Sequence, residues 1–173
     1  MHFEISGIKP NADEGKIFVN TLSCWYPLWT YISKTDVLSE EQISSGYYNF
    51  IEGVEIHDEQ ARKIAEKLKE ELDSGRTAQY AEERKKFLEA LPDEPCTFCK
   101  GTGVCEFHFE EPSLLTSSNS EIELKPFEKK VGTCNVCHGK LKLRPLCTHY
   151  LFSLENVRKF QKFCAHCGGF TIW

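Results

Sequence analysis

The chain has 173 residues, 40% of them apolar and 27% charged, with 21 Lys and Arg against 26 Asp and Glu for a net charge of -5. That balance excludes intrinsic disorder, fits one domain or one domain with a small appended module, and lacks the basic excess of a dedicated nucleic-acid binder. No run approaches the roughly 18 unbroken apolar residues of a membrane span. The start, Met1-His2-Phe3-Glu4-Ile5, lacks the basic end and apolar run of a signal peptide, so a soluble, cytoplasmic protein is expected.

Taken in chain order, Phe3, Ile5, Ile8, Ile17, Phe18 and Val19 alternate around the turn-like run 9–15 and predict two short strands, a hairpin. Residues 22–34 predict a helix with Pro27 in its first turn and with Trp25, Leu28, Trp29 and Ile32 on one face. Such an aromatic stripe reads as core, with a binding platform as the alternative. Residues 35–56 give a loop with a brief strand at Val54-Glu55-Ile56, with a short helix starting at Leu38-Ser39-Glu40-Glu41 as the alternative. An aspartate cap at Asp58 then opens a helix through Ala61, Ile64, Ala65, Leu68 and Leu72, stopped at Ser74-Gly75. A further helix, about 77–91, carries Tyr80, Phe87, Leu88 and Leu91 on one side before Pro92 and Pro95. Ser153 caps a last helix through Leu154, Val157, Phe160 and Phe163, and Gly168-Gly169 ends it before a strand at 170–173 that returns to the core.

Nine cysteines, an odd number, do not suit a secreted disulfide scaffold. The informative strings are Cys96-Thr-Phe-Cys99-Lys-Gly-Thr-Gly103 and Cys134-Asn-Val-Cys137-His-Gly-Lys. Two residues between thiols let both sulfurs face one cation, and the glycines supply the left-handed backbone of a tight knuckle. Cys96, Cys99, Cys134 and Cys137 are therefore expected to hold one structural Zn2+, closed to water and substrate. An iron–sulfur cluster or a redox pair are the alternatives. Cys105, Cys147, Cys164 and Cys167 are the ligands of a second metal, if there is one; the competing reading buries Cys164 and Cys167 at a helix end. The spacing between the knuckles exceeds the usual zinc-ribbon spacing, and Ser117-Ser118-Asn119-Ser120 marks the tip of the looped-out segment.

A split at Pro95 leaves the first part acidic and the second mildly basic, with Lys129, Lys130, Lys140, Lys142 and Arg144 near the second knuckle. Alternation over 140–144 predicts a strand with three cations on one face, a candidate contact for phosphate or for acidic side chains. His57-Asp58-Glu59 reads as a helix start and not as an acid–base cluster.

The string CTFCKGTG and the first six positions of CNVCHGK resemble the cysteine-rich zinc repeat of the DnaJ-type co-chaperones. There are two repeats instead of four, Leu141 stands where the last glycine belongs, and the His-Pro-Asp triplet is missing, so co-chaperone activity is not implied. Across nearly the whole chain, Trp25-Tyr-Pro-Leu-Trp29, the segment Glu71 to Ala78, the Cys96 knuckle, Phe152 to Arg158 and Cys167-Gly-Gly-Phe170 resemble an uncharacterised family of small bacterial and phage proteins. That resemblance implies a bacterial or phage origin and a host or defence protein as a partner.

Together these readings give an α+β fold: short N-terminal strands with three helices packed on a zinc-knuckle, zinc-ribbon-like module and a C-terminal helix. The boundaries are 1–93 and 94–173, with packing into one compact unit left open. The expected function is non-catalytic: a structural zinc braces a protein-interaction surface. A nucleic-acid-binding zinc protein and a thiol-dependent chaperone or redox protein are the alternatives.

Overall fold

The computed structural model describes residues 2–48, 53–109 and 128–172. The expected mobile tip at 117–120 lies outside them. The described chain is mixed α and β, with five α-helices and small antiparallel sheets. It divides into two units, Met1–Ala90 with Leu146–Trp173, and Leu91–Pro145. The C-terminal helix, which chain order groups with the knuckles, thus belongs to the first unit, and the cysteine segment is an insertion within it.

In the first unit, β1 (His2–Gly7) and β2 (Ile17–Thr21) form the expected hairpin, with Ile5 opposite Phe18. A four-stranded antiparallel sheet runs β2, β1, β8 (Phe170–Ile172), β3 (Val54–Ile56). β8 therefore sits inside the sheet with both edges paired, and Phe170 and Ile172 are buried on its core face.

α1 (Leu22–Ile32) starts five residues before Pro27, so the proline lies inside the helix and not in its first turn. The expected face is intact: Trp25, Leu28, Trp29 and Ile32 are all buried, and the two indoles stack at 5.0 Å. Their ring N–H groups donate to the carbonyls of Gly46 and Ile43, each at 2.9 Å. Those carbonyls belong to α2 (Glu40–Tyr48), a helix where sequence suggested a loop. It starts on a capping box: the Ser39 amide donates to Gln42 Oε1 at 3.0 Å and the Gln42 amide to Ser39 Oγ at 3.2 Å. Gly46 is required there, since a Cβ would come within 2.3 Å of the Trp29 ring.

α3 (Asp58–Asp73) begins one residue earlier than an aspartate cap implies, with His57 as the cap and Asp58 as the first helical residue, paired with Arg62 four residues on. It packs against α5 (Leu154–His166), whose cap is Ser153, accepting from the Asn156 amide at 3.1 Å. Phe160 sits at the centre of the core, 5.0 Å from Phe18 and 5.7 Å from both Trp25 and Phe170. The end of α5 is closed by the chain after β1: the amides of Ile8, Lys9 and Asn11 donate to the carbonyls of Gly169, Cys167 and His166. α4 (Arg76–Ala90) departs from its predicted face. Thr77 is buried and Tyr80 packs on Tyr31 and Phe152, but Phe87 is 63% exposed.

In the second unit, β4 (Glu94–Pro95) pairs with β7 (Lys142–Leu143), and β5 (Val104–Phe109) with β6 (Glu128–Thr133). Among the described residues its buried apolar cluster is Cys96, Cys99, Cys134 and Cys137, with Cys105 and Leu143 packed against it.

Candidate metal centre

Each Cys-x-x-Cys lies in a turn whose backbone swings into the left-handed region at the same places. Lys100 (φ 54) and Gly101 (φ 80) correspond to His138 (φ 50) and Gly139 (φ 78). Gly103 (φ 78) corresponds to Leu141 (φ 67), so the leucine adopts the glycine conformation that the repeat demands, despite its Cβ. The two knuckles also hold each other reciprocally. The Cys96 amide donates to the Leu141 carbonyl and the Cys134 amide to the Gly103 carbonyl, each at 2.8 Å. Each first cysteine is thus anchored to the end of the opposite knuckle.

This exchange brings Cys96, Cys99, Cys134 and Cys137 together as four buried thiols whose sulfurs all lie within 4.8 Å of one another. Cys96 Sγ is 3.9 Å from Cys134 Sγ, and Cys99 Sγ is 3.6 Å from Cys137 Sγ. A tetrahedron with Zn–S bonds of about 2.3 Å has S···S edges of about 3.8 Å, so the spacing fits a metal and is far too long for disulfides. All nine cysteines are free.

The electrostatics also call for a cation. Burial pushes the Cys134 thiol up, but the amides of Cys137 and Val136 and the thiols of Cys105 and Cys137 outweigh it and bring it down to about 6. At Cys99, burial is likewise overcome by the Gly103 amide, 3.2 Å from its sulfur, and by neighbouring thiols. Cys137 goes the other way, up to about 11, through burial and the proximity of Cys134 and Cys99, despite amides that oppose the rise. Four sulfurs this close cannot all ionise without a positive charge between them; a divalent cation removes that conflict.

Cys105, Cys147, Cys164 and Cys167, the candidate ligands of a second metal, are not gathered into a second cluster. Among the described residues, the quartet is the only group of three or more such side chains close enough to share a metal. Cys105 lies on β5 beside Cys134, its thiol pushed up to about 11 by burial and by Cys134. Cys147 is exposed on a short turn in the first unit. Cys164 and Cys167 are in that unit's core, and burial raises both thiols, Cys167 to about 11.

The expected three-cation face also differs. Only Lys142 and Leu143 of the 140–144 run are in a strand, because the left-handed backbone at Leu141 breaks the alternation. Arg144 turns to the Leu91 carbonyl and to Asp93, 3.6 Å away. Lys140 and Lys142 are exposed, as is Lys130, on β6; the Lys129 side chain lies outside what is described. The inserted unit carries seven Lys and Arg against eight Asp and Glu, a net of -1, since the basic residues of α5 belong to the first unit. What sequence reasoning missed is a row of exposed apolar side chains: Phe98 and Val136 at matching knuckle positions, 58% and 45% exposed, with Val104, Val131 and Leu141. Because Glu106 opposes Val131 and Val104 opposes Thr133, both valines stand on the ribbon face away from Cys105.

No family model matches the chain, and neither do curated proteins or solved structures. No helix among the described residues is long and apolar enough to cross a membrane.

Proposed function

We propose that Cys96, Cys99, Cys134 and Cys137 hold one structural zinc, and that the unit it braces is a non-catalytic, zinc-ribbon-like module for binding another protein. The observation that carries this reading is the buried quartet clamped by two reciprocal main-chain bonds. Four thiolates fill a tetrahedral ion and leave no position for substrate. Support for a protein partner comes from the exposed apolar set led by Phe98 and Val136 on a unit of nearly balanced charge. Apolar side chains held out by a rigid turn are what a protein interface buries at its centre. In a bacterial or phage setting, a host or defence protein is the expected partner. The near-neutral charge of the unit and the engagement of Arg144 weigh against nucleic acid at the knuckle cations. The buried, raised thiols of Cys164 and Cys167 weigh against redox exchange.

The test is a paired capture from bacterial lysate with the wild type and the Phe98→Ser, Val136→Ser double variant, both zinc-loaded. A specific partner lost from the variant, with zinc content unchanged, supports the proposal. Equal capture by both proteins, or turnover of a substrate that depends on the metal, refutes it.

A further inference from the structure

A second site is built in the first unit, on residues that the metal centre does not use. Tyr26, Pro27 and Thr30 of α1, Tyr47 of α2, Arg84 of α4 and Tyr150 line a cavity of about 360 Å³. Tyr26 lies nearly parallel to Tyr47 (11°, centroids 5.8 Å apart) and to Tyr150 (20°, 5.5 Å). Three residues far apart in sequence thus present parallel rings to one space. The platform is fixed at its base. The Thr30 hydroxyl donates to the Tyr26 carbonyl at 2.8 Å, so the Tyr47 hydroxyl is the donor in their 2.7 Å contact, which orients its ring.

Arg84 gives the cavity its charge. Its Nε is buried and is the one buried side-chain nitrogen or oxygen among the described residues with no hydrogen-bond partner. No carboxylate lines the cavity among the described residues. A buried guanidinium N–H without an acceptor is costly, and the planar fork it belongs to matches the paired oxygens of a phosphate. A cavity edged by a stack of tyrosines and holding one unpaired guanidinium N–H suits a flat ring attached to an anion.

We propose that this cleft binds a nucleotide unit, its base against the tyrosines and its phosphate on Arg84, supplied either as a free mononucleotide or as one residue of a single strand. Base stacking on aromatic side chains tolerates any base, so the contribution from the rings is independent of sequence and the contribution from Arg84 depends on the phosphate.

The test uses the intact zinc-loaded chain in calorimetric titrations with AMP, adenosine, inorganic phosphate, a short oligo(dA) and an acidic peptide. AMP is expected to bind at least about tenfold more tightly than adenosine or phosphate alone, the signature of two subsites filled together. Arg84→Met is expected to lower AMP affinity about tenfold and leave adenosine unchanged; Tyr150→Ala lowers both. Removing the unpaired Nε leaves the melting temperature level or raises it, which separates a binding role from a structural one. Tighter binding of oligo(dA) than of AMP identifies a strand as the source, and the reverse identifies the free nucleotide. Binding of the acidic peptide alone, AMP binding no tighter than inorganic phosphate, or an Arg84→Met protein that binds AMP normally would overturn the proposal.

Discussion

The two units of this chain are held together by different means. The first buries an aromatic cluster, with Trp25, Trp29, Phe160, Phe163 and Phe170 all at or near zero exposure. Among its described residues the second buries four cysteines, with Cys105 and Leu143 partly buried against them. The first has enough apolar surface removed from water to fold on the hydrophobic effect. Among its described residues the second buries no comparable apolar core, which is why the proposed zinc matters most there. On the proposed zinc reading, a module inserted between a helix and a short turn of an apolar core leaves to the metal what side-chain packing does in that core. Each unit should then fail by its own route.

The largest expected effect follows from removing a ligand. Cys134→Ser forfeits most of the about 10–16 kcal/mol that structural zinc sites supply, so the inserted unit unfolds. Hydrogen exchange should show fast amides on β5 and β6, while the tryptophan near-UV signal of the first unit stays at its wild-type level. Loss of both together would break the comparison. The converse is Trp29→Ala, expected to cost about 3–5 kcal/mol in the first unit through the cavity it leaves, with zinc content unchanged.

How far sequence alone reached follows the same division. The quartet was legible because ligand spacing is local and glycine marks the turn. The Trp25 to Ile32 face and the Ser153 cap were legible because helical period and capping chemistry are local too. α2 was not, since its apolar residues are sparse and its Gly46 argues against a helix until the Trp29 ring is seen beside it. Phe87 misled because α4 buries a stripe through Thr77, Tyr80, Arg84 and Leu88 that leaves Phe87 outside it. The insertion of 91–145 between α4 and the Leu146–His149 turn, and the meeting of Tyr26, Tyr47 and Tyr150, depend on long-range contacts that no window of sequence contains.

Smaller effects sharpen the comparison inside the metal unit. Gly103 and Leu141 are equivalent positions with unequal tolerance. Gly103→Leu places a Cβ 2.7 Å from Leu141 Cδ2 and forces a left-handed leucine, an expected loss of about 1–3 kcal/mol seen as weaker zinc retention against a competing chelator. Leu141→Gly is the smallest change. Relief of left-handed strain offsets the greater freedom of glycine in the unfolded chain, and zinc affinity should stay within about 1 kcal/mol of wild type. A large loss from Leu141→Gly would mean that its side chain, and not its backbone, closes the site.

The most direct measurement is metal content by native mass spectrometry, followed by chelation with exchange read separately for the two units. The account predicts one zinc per chain, and on its removal, selective loss of protection at 91–145 with the first unit intact. A metal-free chain whose knuckles remain protected, two metals per chain, or the visible absorption of an iron–sulfur cluster would contradict it.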